Sequence, residues 1–255
     1  MQAQRGNAAA QYELAQRHAR GSGVAMDRRR AFELYVASAD QGFAPAEYEV
    51  AQYYKGLSGD AFDPVRSLRY LQRAAEHGHG PAQVDLAFLH MNGSGGVPKD
   101  LPLAFQWFSK AAAGGAVVAQ CMLGDFYKNG LGGAPQDHAQ AFQWYKRTAT
   151  SNDRCAPKSQ YELYVAYAEG RGVRRSMPTA INWLKRAAEA GNPIAQRTLG
   201  IAYETGRGVQ QDLAQAKFWT LKSREGVAPH DDHEHEEHHA DGHSRHGGHT
   251  HPGPH

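Results

Sequence analysis

A leucine-type residue recurs six times along this chain, at Leu14, Val50, Leu86, Leu123, Leu163 and Leu199, in steps of 36, 36, 37, 40 and 36 residues. Nine residues after each stands a glycine: Gly23, Gly59, Gly95, Gly132, Gly172 and Gly208. A fixed period of this length marks an array of supersecondary units. Each is too small to bury its own apolar face and gains stability from its neighbours. Such arrays present long surfaces, and they mostly bind rather than catalyse.

One unit predicts a helical hairpin. In the fourth, Ala119, Leu123, Phe126 and Tyr127 fall on one helical face. Gly130 and Gly132 then break the helix, since glycine takes positive φ without steric cost. Asp137 is placed to cap a second helix, and Asp27, Asp63, Asp100, Ser176 and Asp212 stand at its equivalents. That second helix turns Ala141, Trp144, Tyr145 and Thr148 inward, with Trp107, Trp183 and Trp219 in matching places and Leu34 and Tyr70 filling them in the first two units. Small residues recur where the two helices must approach: Ala10, Ala46, Ala82, Ala119, Ser159 and Ala195 in the first helix, and Ala31, Ser67, Ala104, Ala141, Ala180 and Ala216 in the second. The segment 150–158 lengthens one step to 40 residues and is expected to form a protruding loop or a small hinge, with Pro157 disfavouring helix just before it.

The pattern Ala-x-x-x-Leu-Gly-x-x-Tyr-x-x-Gly-x-Gly-Val, then Asp, then Ala-x-x-Trp-Tyr-x-Lys-Ala-Ala, resembles the SEL-1-like repeat, a relative of the tetratricopeptide repeat. Its clearest copies are Leu199–Val209, Tyr164–Val173 and Ile181–Asn192. The resemblance implies an all-α fold, a right-handed α/α superhelix of six helix-turn-helix repeats at about 6–41, 42–77, 78–114, 115–151, 154–190 and 191–225. It also implies a concave face lined by the first helices and a role as adaptor or scaffold for other proteins. Bacterial members serve signalling, envelope or secretion complexes. Repeat two departs most, with Gly56 early and Asp60 in place of the valine.

In related arrays, ligands contact first-helix positions two before and two after the leucine. Here these include Tyr12, Gln16, Tyr48, Gln52, Phe88, Asp125 and Tyr161. Aromatic rings there supply contact area at low entropic cost, and amides supply adaptable hydrogen bonds. A protein or peptide segment is therefore the expected partner. His18 and His90 replace the tyrosines Tyr54, Tyr127, Tyr167 and Tyr203 and read as core residues, whereas His77 and His79 flank a helix end and read as solvent-facing.

Charge divides the chain. Residues 1–225 carry a net +7, too dilute for a nucleic-acid footprint, whereas 226–255 carry −5 and ten of the 15 histidines. This acidic tail has no apolar periodicity and reads as disordered. His233, His235, His238, His239, His243, His246, His249 and His251 stand at short spacings among carboxylates. Neutral imidazole suits Zn²⁺ and Ni²⁺, so the tail is expected to hold such ions in several exchangeable registers. That supports a second reading, a metal-handling protein that buffers or delivers zinc or nickel while the repeats dock the recipient. No cofactor is otherwise required. No apolar run is long enough to cross a membrane, and the N-terminus lacks the apolar stretch of a signal peptide, which favours a cytoplasmic place, or a periplasmic one if a leader has been trimmed. Cys121 and Cys155 form no disulfide framework and read as free thiols, at points that a helical hairpin could bring close. There is no G-x-S-x-G, S-x-x-K or C-x-x-C, so no catalytic constellation is expected and the chain reads as a non-enzyme.

Overall fold

In a computed structural model, which describes residues 6–56 and 62–225, the chain forms twelve helices among the described residues. They are α1 (Ala8–Arg20), α2 (Arg28–Ala39), α3 (Ala44–Tyr54), α4 (Pro64–Glu76), α5 (Gly80–Asn92), α6 (Leu101–Ala113), α7 (Val117–Asn129), α8 (His138–Thr148), α9 (Ala156–Glu169), α10 (Met177–Glu189), α11 (Pro193–Thr205) and α12 (Leu213–Glu225). Consecutive pairs form six hairpins, and each hairpin packs on the next to build an α/α solenoid. Odd-numbered helices are the first of each pair (helix A) and even-numbered ones the second (helix B).

The repeated leucines are the spine. Val50, Leu86, Leu123, Leu163 and Leu199 are buried, and Leu14, in the first hairpin, is half-buried. The small helix A residues Ala46, Ala82, Ala119, Ser159 and Ala195 are fully buried, so backbones approach closely there. Aspartate caps open most B helices: Asp27, Asp63, Asp100, Asp137 and Asp212 each accept from a backbone N–H two or three residues on. Ser176 departs, because its hydroxyl pairs with Thr179 Oγ1 at 2.8 Å and caps no backbone group.

One hydrogen bond closes every hairpin. The backbone N–H of each capping residue donates to a carbonyl near the end of its own helix A: Asp27 to His18, Asp63 to Tyr54, Asp100 to His90, Asp137 to Tyr127, Ser176 to Tyr167 and Asp212 to Tyr203, all at 2.8–2.9 Å. This uses a carbonyl that the helix end would otherwise leave unpaired. It also explains why His18 and His90 can stand where tyrosines recur, since the backbone makes the bond. His90 is buried and His18 half-buried.

The recurrent glycine has a second duty. Gly172 has φ +71°, and a Cβ there would run into the backbone of His138 and Ala139 at the start of α8. The residue therefore both turns its own hairpin and seats it on the preceding one.

Four expectations need correction. The tryptophan positions do not all turn fully inward. Trp144 and Trp183 are half-buried, and the following residue goes deeper: Phe108 at 0%, Tyr145 at 2% and Leu184 at 0% exposure. Each tryptophan instead carries a cation over its ring from three residues on. Lys110 lies over Trp107, Arg147 over Trp144, Arg186 over Trp183 and Lys222 over Trp219, at 4.2–5.2 Å from the ring centre. The 150–158 segment does not protrude: Ser151 Oγ donates to Thr148 O and Cys155 N to Asp153 Oδ1, folding it onto the end of α8. Helix α9 starts at Ala156, before Pro157, because proline is tolerated in a first turn where no intrahelical N–H is needed. Finally, His77 and His79 do not simply face solvent. His77 Nδ1 is 2.8 Å from Glu47 Oε2, and the half-buried His79 ring packs on Tyr48 with centroids 4.7 Å apart.

Candidate protein-binding seam

Adjacent A helices meet along a polar seam, and Tyr48, Gln52 and Asp125 lie on it. Tyr48 Oη donates to Asp85 Oδ2 at 3.0 Å, and Gln52 Nε2 donates to the same oxygen at 3.3 Å. Burial, with the Asp85 carboxylate beside it, pushes the Tyr48 phenol above its ordinary range, so it remains a donor at all physiological pH. Asp125 accepts from Tyr145 Oη at 2.8 Å and pairs with Lys158 Nζ. Burial alone would lower the Lys158 pKa; Asp125 outweighs it and holds the ammonium above its ordinary value. Lys128 Nζ reaches Glu162 Oε1 at 2.7 Å in the same direction along the stack.

The remaining aromatic positions pack on neighbouring rings. Tyr12 sits against Tyr35 and Phe43, with centroids 5.6 and 5.3 Å away, and accepts from Gln16 Nε2 at 2.9 Å. Tyr161 packs on Tyr164 at 5.6 Å. Phe88 meets Phe108 edge-on at 5.1 Å. The structure therefore brings Tyr48 and Gln52 together over Asp85, joins Asp125 to Lys158, and keeps Tyr12 and Gln16 as a pair inside α1. It does not gather all seven residues into one pocket.

Two of the grooves between hairpins are lined by predicted contact residues. One, of about 400 Å³, lies between the second and third, lined by Gln52, Asp85 and Phe88 together with Phe62, Leu68 and Leu89. The other, of about 650 Å³, lies between the fourth and fifth, where Lys128, His138, Tyr145, Tyr161, Glu162 and Arg171 line a more polar cleft. The first combines apolar walls with a few convergent polar groups, the usual make-up of a ligand pocket.

Sequence reasoning missed Asp85, Glu162 and Lys158. A signal existed for the first two: an acid immediately precedes the leucine at Glu13, Glu49, Asp85 and Glu162. The tail histidines His233, His235, His238, His239, His243, His246, His249 and His251 lie outside the described residues, as does Gly59. Among the described residues, no group of three or more His, Cys, Asp or Glu side chains is arranged to hold a metal ion, and no helix is long and apolar enough to cross a membrane.

Six consecutive segments, 8–43, 44–79, 80–115, 117–153, 157–192 and 193–226, match the Sel1 repeat family model. Among solved structures, the chain is 32% identical to a protective antigen of uropathogenic Escherichia coli strains with an SLR fold. That match has a TM-score of 0.73 and covers 88% of this chain but 47% of the antigen, so the chain spans about half that protein's length. It is 28% identical to a Sel1 repeat protein from Oxalobacter formigenes, with a TM-score of 0.66 and 85% of each chain covered. No functionally curated protein matches. With six repeats in register over most of its length, the chain belongs to the Sel1 repeat family.

Proposed function

We propose that the protein is a non-catalytic scaffold that holds a partner protein's peptide segment along the A-helix seam, anchored in the groove at Phe88. Sel1 arrays are protein-interaction scaffolds as a class. The observation that carries the reading is the 400 Å³ groove, where Gln52, Asp85 and Phe88 converge with leucine walls. Such a site takes one apolar side chain and hydrogen-bonds the backbone that carries it. The Asp85 carboxylate, already accepting from Tyr48 and Gln52, has capacity left for a peptide N–H.

Selection of a random peptide library on the full-length protein tests this. Enriched sequences should share an apolar anchor and lose at least about tenfold in affinity on Phe88→Glu, about 1.4 kcal/mol. Equal binding to wild type and variant overturns the site.

The metal reading rests on the sequence of the tail alone. Imidazoles at His233, His235, His238 and His239, interleaved with carboxylates, suit zinc or nickel. Calorimetry with Zn²⁺ and Ni²⁺ on full-length protein and on a form lacking residues 226–255 decides it; binding no tighter than tens of micromolar removes it.

A further inference from the structure

Cys121 and Cys155 are the only cysteines in the chain, and neither is needed by the proposed peptide site. Cys121, on α7, is 1% exposed. Its position, two before the repeated leucine, is held by Tyr12, Tyr48, Val84, Tyr161 and Arg197 in the other repeats. Cys155 is the N-terminal flanking residue of α9 and is partly accessible. The two thiols adjoin across the junction between repeats four and five, close enough to shift each other's titration. Ser159 Oγ lies 3.7 Å from Cys121 Sγ and is in turn bonded to Thr148 Oγ1 at 2.7 Å. Lys158 brings a positive charge to the same spot, and the open N-terminus of the 14-residue α9 adds its dipole.

We propose that this pair is an oxidation site, at which a peroxide converts the two thiols into an intramolecular disulfide that ties α7 to the start of α9. The surroundings favour the chemistry. The neighbouring Cys155 thiol, then Ser159 and the Lys158 ammonium, hold the Cys121 thiol below its usual range. Cys155 is pushed up by the adjoining Cys121 sulfur. The first proton lost is thus lost by the pair, and the remaining one is shared between the sulfurs. Thiolate character next to a second thiol is what a peroxide-sensitive pair requires.

Each step balances. Peroxide reaches the pair at Cys155, the accessible member. The shared proton shifts to the Cys121 sulfur and the Cys155 thiolate attacks one peroxide oxygen; an S–O bond forms, the O–O bond breaks, and the released hydroxide takes that proton and leaves as water. Cys121 thiolate then attacks the Cys155 sulfenic acid. The S–S bond forms, the S–O bond breaks, and the departing hydroxide takes up the proton the pair first gave to solvent, leaving as a second water. Two thiols give up two electrons to one peroxide. The insertion that lengthens this one step of the repeat to 40 residues also supplies Cys155, so the site belongs to this junction alone.

The test treats full-length protein with hydrogen peroxide in slight excess and then measures its intact mass. The expected product is a monomer lighter by two hydrogens, with no maleimide-reactive thiol after unfolding, a Cys121–Cys155 linked peptide, full reversal by dithiothreitol and a raised Tm. Cys155→Ser, which leaves the buried Cys121 in place, should not lose the two hydrogens. Cys121→Ser should leave a Cys155 that gains one oxygen and is captured by dimedone. Two reactive thiols remaining in treated wild type, or a disulfide found only between molecules, overturns the proposal.

Discussion

Glu47 shows how one residue can change a repeated contact without breaking it. Three positions before the leucine stand Gln11, Gln83, Gln120, Gln160 and Gln196, and in repeat two Glu47. Four of those amides donate to a carbonyl near the end of the preceding B helix: Gln83 to Ala75, Gln120 to Ala112, Gln160 to Ala149 and Gln196 to Ala188, at 2.8–3.3 Å. A carboxylate cannot donate, and Glu47 is fully buried. Arg73 takes over, giving Nη2 to Ala39 O at 2.9 Å and pairing with Glu47 Oε1 at 2.9 Å, while His77 holds the other oxygen. Glu47→Gln can rebuild the ordinary bond to Ala39, whereas Glu47→Leu leaves Arg73 without its counter-charge. Urea unfolding should find the leucine variant less stable by about 1–3 kcal/mol and the glutamine variant within about 1 kcal/mol of wild type; equal losses would mean that the ion pair, not the donor, is what matters. His79 supplies the pH dependence. Burial pushes its imidazole down, only partly offset by Asp85, and Nδ1 is buried without a partner. The fold therefore favours the neutral ring. Its contribution is present above the ordinary histidine value of about 6.5 and is lost as pH falls below it, through the depressed folded value. His79→Gln should flatten the fall in Tm between about pH 7 and pH 5, measured by circular dichroism.

At the scale of the element, caps explain which helix starts are fragile. Asp100 accepts from Leu103 N at 2.9 Å, so Asp100→Ala should cost about 1 kcal/mol. Ser176 is spent on Thr179, and Ser176→Ala should cost well under half of that; chemical denaturation of the two variants side by side decides it. The helices, their order and most caps were legible in the sequence, because each is imposed within one hairpin by spacing that the repeat restates six times. Contacts between hairpins were not. Whether Tyr48 reaches Asp85, or Cys155 reaches Cys121, depends on the pitch at which hairpins stack, and a 36-residue period does not encode that pitch. The tryptophans show the same limit. Spacing places Trp144 on the inward half of α8, but only the packed neighbour reveals that Tyr145 takes the deeper site and Arg147 covers the indole. The Phe88 groove was half legible: Gln52 and Phe88 follow from the position rule, while the leucine walls belong to two different hairpins.

Across the whole molecule, the solenoid's far end differs from its interior. Relative to each tryptophan position, the residue two before it packs toward the next hairpin: Phe32 stacks on Tyr53, Phe105 on Phe126 and Phe142 meets Tyr167 edge-on. Leu68 and Ile181 fill the same place, but α12 has Lys217. One residue after the tryptophan position, Tyr35, Leu71, Phe108, Tyr145 and Leu184 give way to Thr220; five after it, alanines at 39, 75, 112, 149 and 188 give way to Arg224. Three polar substitutions thus fall on the surface where another hairpin would stack, leaving Ile201 and Leu221 as half-exposed apolar residues there. Arrays need polar outer faces to stay soluble, because an interior-type face at an end is an adhesive surface. Restoring interior residues with Lys217→Phe, Thr220→Leu and Arg224→Ala should therefore leave each hairpin folded but drive self-association through α12. Light scattering coupled to size exclusion should give a larger, concentration-dependent mass for the triple variant at unchanged helical content. If its mass matches that of wild type at every concentration, Lys217, Thr220 and Arg224 are not what keeps this end of the stack from pairing.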